Sequence, residues 1–316
     1  MSASSVRVRA VGIPRPGGPD VLSVIEREVR APAPGEVRIA VAAAAVNPTD
    51  IVVRQDGLED QPPPWVPGMD LTGVVEAVGD GFFRLAVGHE VMAAVTPRRP
   101  EGGAQAELVI VPEASAVTIP EGTTPRQAAT LPMNELTAVL AHEHLGLAEG
   151  QTLAVSGAAG LLASYAIPLA KLRGVRVIAD AKPEDEALVR SFGADVVLPR
   201  GEGFPAAVRD VAPEGADGFL DTALLGQAAF PAIRDGGRLA IVRRLQGLVP
   251  ERGIEVRELY VFEVLQRTDW LEQLRDLAAQ GALALRVAAE YPPERAGDAY
   301  RAMGAGGVRG RALIVF

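Results

Sequence analysis

Apolar positions in the first 121 residues fall in short β-rich runs, at 36–43 (EVRIAVAA), 71–78 (LTGVVEAV), 90–95 (EVMAAV) and 106–111 (AELVIV). Proline and glycine clusters separate them, at 31–35 (APAPG), 61–68 (QPPPWVPG) and 102–103. Short strands punctuated in this way predict an antiparallel, barrel-like domain with little helix. From residue 124 the texture changes. A long apolar helix is predicted over 125–145, then strands at 152–156 (TLAVS), 175–179 (VRVIA), 196–198, 218–221 (GFLD) and 238–242 (RLAIV). Helical stretches at 160–173, 184–192, 204–211 and 227–233 lie between the strands. Hydrophobic strands alternating with helices of about ten residues predict a parallel sheet covered on both faces, a doubly wound domain. After residue 257 the pattern mixes again: a helix at 268–280, a strand at 285–289, a helix at 294–303 and a terminal strand at 311–316 (RALIVF). The apolar end is expected to return and complete the first domain.

Composition narrows the chemistry. The 316 residues contain no Cys and three His, which excludes disulfides, iron–sulfur clusters, a thiol nucleophile and thiolate zinc. A reducing, cytoplasmic setting is expected. A length of 316 with 48% hydrophobic residues fits two domains, because single cores stop growing near 250 to 300 residues, as an order of magnitude. A net charge of −9 offers no long-range attraction to a nucleic-acid backbone. No stretch of about 18 uncharged apolar residues occurs and the N-terminus lacks an apolar signal core, so neither membrane insertion nor secretion is expected. The 34 Gly and 25 Pro exceed a background of roughly 12%, and their even spread indicates many turns.

The most informative local feature is 152–174, TLAVSGAAGLLASYAIPLAKLRG. A strand ends at Ser156, a small-residue turn follows, and a helix begins. On the G-x-G-x-x-G/A pattern Ala158, Gly160 and Ala163 occupy the three positions, and the helix N-terminal amides, those of Leu161 and Leu162 included, are placed to hold a pyrophosphate. Asp180, just after the next predicted strand and about twenty residues beyond Gly160, is placed to accept from an adenosine ribose, as acids do in NAD-type sites. Lys182 and Arg200 follow strands of the same domain and offer cations for a ribose 2′-phosphate. The chemistry leaves NADPH and NADH both open.

Together with this turn, the segments 34–41 (PGEVRIAV), 46–50 (VNPTD), 66–81 (VPGMDLTGVVEAVGDG), 87–91 (VGHEV), 102–112 (GGAQAELVIVP), 128–140 (AATLPMNELTAVL), 191–195 (SFGAD) and 217–222 (DGFLDT) resemble the medium-chain dehydrogenase/reductase superfamily. Within it they resemble the zinc-independent quinone oxidoreductase, or zeta-crystallin-like, branch. The resemblance implies an α/β protein with a GroES-like β-barrel-type catalytic domain at 1–124 and 263–316, split by a Rossmann doubly wound parallel-sheet domain at 125–262. Zinc-dependent relatives carry Cys where this chain has Asn47 and His-Glu where it has Met69-Asp70, and often a four-Cys lobe. The resemblance therefore implies no zinc.

Asn47 resembles the branch's active-site Asn, and Thr137 a threonine that lies near the nicotinamide. Asp50 is expected to brace its loop by an Asx-type contact. His89 is expected to be a turn residue, while His142 and His144, two apart on a helix, point different ways. NADPH is the implied cofactor, with a small apolar carbonyl compound or quinone as substrate and a homodimer paired through the Rossmann sheet edge near 238–261. Trp65, Met133 and 260–264 are candidate pocket walls.

Departures narrow the expectation. Tyrosines common in the branch are absent from 51–57 (IVVRQDG) and 102–107 (GGAQAE), which weakens the case for quinone and for a tyrosine proton donor. Leu161-Leu162 replaces the usual Gly-Val after Gly160. Three functions follow: reduction of a quinone or activated alkene by hydride transfer, enoyl reduction of a biosynthetic intermediate, and nucleotide binding with little turnover.

Overall fold

The computed structural model describes residues 5–81 and 83–316. The chain opens with β1 (Val6–Gly12) and β2 (Ser23–Val29), an antiparallel pair, followed by β3 (Glu36–Val46). Helix α1 (Pro48–Asp56) comes directly after, where no helix was expected. Its Ile51-Val52-Val53 run is β-branched and reads as strand, but Pro48 at the first helical position and Asp50 at the third are helix-start chemistry. Then come β4 (Asp70–Val78), β5 (Glu90–Ala94), β6 (Leu108–Pro112) and β7 (Ala116–Thr118).

The long helix expected over 125–145 is two helices, α2 (Pro125–Ala128) and α3 (Pro132–Leu145). Pro132 cannot donate to a preceding turn, so the chain breaks there and restarts. Next are β8 (Thr152–Ser156), α4 (Leu161–Leu172), β9 (Arg176–Ala181), α5 (Glu186–Ser191), β10 (Val196–Pro199), α6 (Phe204–Val211) and β11 (Ala216–Asp221). The helix expected at 227–233 is a 3-10 turn at Gly226–Ala232 that contains Pro231. It leads into β12 (Ile233–Ile241) and β13 (Glu255–Glu258). The short, polar β13 carries no apolar run and escaped the pattern. The chain ends with α7 (Thr268–Ala279), β14 (Val287–Tyr291), α8 (Ala296–Gly304) and β15 (Arg311–Val315).

Two compact units result: residues 1–133, 265–281 and 285–316, and residues 134–264 with 282–284. In the first unit a seven-stranded sheet runs β14-β15-β3-β4-β5-β7, with β6 on β3. All its pairings are antiparallel except β14 with β15. The C-terminal strand pairs with β3. Strand β3 and β4 approach closely at Gly73, where a Cβ would come 2.0 Å from Ala40 O. Val37, Ile39, Leu71, Val75, Val91 and Val111 form this unit's main core.

The second unit is a six-stranded sheet, β10-β9-β8-β11-β12-β13, parallel throughout. This is the doubly wound order whose crevice lies at the C-terminal ends of the two central strands. Its core includes Phe204 packed edge-on against Phe219, with ring centres 6.1 Å apart.

Candidate active site

At the centre of the parallel sheet, β8 ends in Ser156 and the chain turns through Gly157 to Gly160 into α4. Gly157 has φ +69, and a Cβ on it would lie 2.4 Å from Thr222 Oγ1. Only glycine fits there. Thr222 Oγ1 donates to Ser156 O (2.6 Å), which fastens the turn to the end of β11. Gly160 has an extended backbone, and a Cβ there would meet Gly157 O at 3.0 Å. The α4 ladder starts with Ser164 N donating to Gly160 O (3.2 Å). The amides of Leu161, Leu162 and Ala163 precede that ladder and form the positive end of the helix. A bare turn running into such an end suits a dinucleotide pyrophosphate.

Ala158 N donates to Asp180 Oδ1 (2.8 Å), so one oxygen of this acid holds the turn against β9. The other, Oδ2, lies 3.8 Å from Arg200 Nε. Burial pushes the Asp180 carboxyl above its ordinary range, against the pull of Ala158 and Arg200. Asp180 lies within β9, one residue before its end, not after it as the pattern suggested. The structure brings Asp180 and Arg200 together. Lys182 is exposed, 3.9 Å from Glu184, on the surface. Beneath the turn, buried Asp221 accepts from Ser156 Oγ (2.7 Å), Leu225 N (3.0 Å) and Gly226 N (2.8 Å).

The first unit holds a second buried polar centre. Asn47 sits between β3 and α1 with no exposed surface. Its Nδ2 donates to Asp70 Oδ2 (2.6 Å), and its Oδ1 accepts from Arg311 Nε (2.7 Å). Asp70 Oδ1 also accepts from Met133 N. Asp50 accepts from Asn47 N (2.7 Å) and Gly68 N (2.9 Å), bracing the loop at the start of α1. Burial pushes the Asp50 carboxyl up to about 7 and that of Asp70 up to about 6, while Arg311 pulls both down. Nearby, Tyr300 Oη donates to Gln105 Oε1 (3.1 Å), and Gln105 Nε2 donates to Ala45 O (3.3 Å). Burial first, then the Asp50 charge, pushes the Tyr300 phenol well above its ordinary value.

Arg311 and Tyr300 escaped sequence reasoning, because nothing local marks an Arg at the start of a terminal strand or a Tyr on an amphipathic helix as a partner of residues far back in the chain.

This centre does not fit Zn²⁺. The side chains available are an amide, a thioether and a carboxylate, and both the amide and the carboxylate are already hydrogen-bonded within the protein. Among the described residues no group of three or more His, Cys, Asp or Glu is arranged to hold a metal. His142 is buried, contacts Ala166 O through Nε2 (2.8 Å), and is pushed down to about 4 by burial. His89 Nδ1 accepts from Ala86 N (3.2 Å) within its own turn. Trp65 is core, packed with Ile13 and Leu58, its Nε1 donating to Gln61 O (2.8 Å). Thr137 is buried on α3 in the second unit. A cavity of about 720 Å³ in that unit is lined by His144, Leu245, Leu248, Arg257 and Tyr260, among others. Among the described residues, no helix is long and apolar enough to cross a membrane.

Comparison with known proteins agrees with this architecture. The family described as alcohol dehydrogenase GroES-like domain matches residues 33–121, and that described as zinc-binding dehydrogenase matches residues 192–314. An NADPH-dependent alkenal/one oxidoreductase of Arabidopsis thaliana chloroplasts is 31% identical over 310 residues, which span 94% of this chain and 77% of that protein. The solved structure of an NAD-dependent alcohol dehydrogenase superposes with a TM-score of 0.84 at 29% identity, over 98% of this chain and 99% of that one. A mycobacterial protein solved in complex with NADPH gives a TM-score of 0.84 at 26% identity, over 98% and 100%. A GroES-like antiparallel unit, a six-stranded Rossmann sheet and this likeness along nearly the whole chain lead to one conclusion: the protein belongs to the medium-chain dehydrogenase/reductase superfamily.

Proposed function

We propose that the protein is an NADPH-dependent, zinc-independent oxidoreductase that reduces an activated alkene, such as an enone or alkenal, or a quinone. The observation that carries this reading is Asn47, a buried amide hydrogen-bonded to Asp70 and Arg311 where zinc-dependent relatives carry a thiolate. The similarity to an alkenal/one oxidoreductase over 94% of this chain supports the alkene as substrate. The reduced nicotinamide, when bound, supplies the hydride. The chain supplies orientation: the Gly157–Gly160 turn and the α4 amides would hold the pyrophosphate, and Asn47 and Thr137 would align the reacting groups.

Arg200, beside Asp180, supports NADPH through a 2′-phosphate. NADH is the second reading, because Asp180 stands where an acid accepts from a ribose. A cytoplasmic homodimer is the accompanying proposal, and light scattering would read twice the 33.0 kDa chain mass.

The test is a fluorescence titration with NADPH and NADH, followed by nucleotide consumption with a panel of enones, alkenals, enoyl thioesters and quinones. Consumption with an enone or quinone supports the proposal. Turnover confined to enoyl thioesters selects an enoyl reductase, and micromolar binding without turnover of any acceptor selects a nucleotide-binding module. Absence of binding by either nucleotide overturns the whole reading.

A further inference from the structure

Arg311 is a buried cation on the last strand of the first unit, and nothing in the chemistry above uses it. Its Nε–H meets Asn47 Oδ1 at 2.7 Å, and on the opposite side Asn47 Nδ2 meets Asp70 Oδ2 at 2.6 Å. A primary amide can sit in its site in two orientations that differ by a half-turn. Here the second orientation would set Nδ2 against the guanidinium N–H and Oδ1 against the carboxylate. A donor would face a donor and an acceptor an acceptor, among side chains that are buried. Arg311 and Asp70 therefore select one orientation between them. Asp70 is itself held by Met133 N, which restrains that anchor from following a turning amide.

We infer that Arg311 is a positioning residue for Asn47, fixing which end of the amide is donor and which acceptor toward whatever binds beside it. The inference rests on Asn47 acting in the proposed reduction, but the orientation itself is independent of turnover. Lysine in place of Arg311 would keep a positive charge and lose the planar Nε–H that meets Oδ1. Loss of orientation should appear in kcat, because the amide would still be present but misdirected part of the time.

The chain contains only two asparagines, Asn47 and Asn134. Selective ¹⁵N-asparagine labelling therefore yields two side-chain NH₂ pairs, assigned with Asn134→Ser. In the unsubstituted protein without nucleotide, the Asn47 pair should exchange with solvent at least tenfold more slowly than a free asparagine amide. In Arg311→Lys that protection should fall at least tenfold while the Asn134 pair is unchanged. With an acceptor that the unsubstituted protein turns over, kcat should fall at least tenfold and the NADPH Kd should stay within twofold. An Asn47 pair that exchanges like a free amide in the unsubstituted protein overturns the inference, and this arm needs no variant to fold. Unchanged protection in a folded Arg311→Lys overturns it as well, as does a loss confined to KM. Failure of the unsubstituted protein to reduce any acceptor counts against the proposed function alone, since the exchange measurement still reads the amide.

Discussion

Gly157 and Gly160 lie three residues apart and do different work. Gly157 is required by the backbone, with its positive φ and Thr222 in the space a Cβ would take. Gly160 has an ordinary φ, and a Cβ there meets only Gly157 O, at 3.0 Å. Gly160→Asp should therefore fold and weaken NADPH binding at least tenfold, because a carboxylate would face the pyrophosphate at the α4 N-terminus. Fluorescence titration reads this, and an unchanged Kd would refute the turn assignment.

Asp50 carries a different signature. Its folded carboxyl titrates near 7 and an unfolded Asp near 3.8, so between those values the folded chain holds a proton that the unfolded chain has released. Its contribution to stability is thus fully present below about pH 3.8 and is lost as pH rises through 7. Asp70 acts with the same sign up to about 6. Asp50→Asn should flatten the fall of stability between pH 4 and 7 by up to about 1.4 kcal/mol per pH unit, read by denaturant unfolding at several pH values. Parallel profiles would mean that Asp50 does not titrate there. Lys182 teaches the opposite lesson: its place after a strand resembles that of Arg200, yet its side chain reaches Glu184 and not Asp180.

Elements were legible where their period was strong. The four core strands of the parallel sheet, the α4 and α6 helices and the terminal strand all lie within a few residues of the pattern. Three of the departures from it have a local reason in a proline or a cap. Pro132 divided the expected long helix, Pro231 turned an expected α-helix into a 3-10 turn, and capping chemistry at 47–50 made a helix of a β-branched run. Junctions between elements depend on buried polar links that no periodicity encodes. Asp221 joins the end of β11 to the end of β8 and to the following 3-10 turn through three hydrogen bonds. Asp221→Ala would leave buried donors without an acceptor and should cost about 3 kcal/mol, visible as a lower denaturation midpoint. A midpoint unchanged within error would show that the junction relaxes around the loss.

For the molecule as a whole, the absence of cysteine carries mechanistic weight once Asn47 is placed. If the proposed metal-free mechanism holds, exhaustive chelation should leave nucleotide consumption within about 10% of its starting rate. Loss of activity restored by zinc alone would overturn the metal-free reading. The return of the chain to the first unit was legible from the apolar end at 311–316, but its role was not. β15 brings Arg311 to Asn47 across 264 residues of sequence.

The sequence by itself determined the two textures, the strand-helix alternation of the parallel domain, the small-residue turn after β8 and the exclusion of thiolate chemistry, because periodicity, turn residues and composition are local properties of a chain. Only the tertiary structure decided which polar groups meet: Arg311 with Asn47, Asp70 with Met133, Asp180 with the turn and Arg200. A buried hydrogen bond depends on where strands place their ends in space, and residues distant in the chain leave no local trace of that meeting.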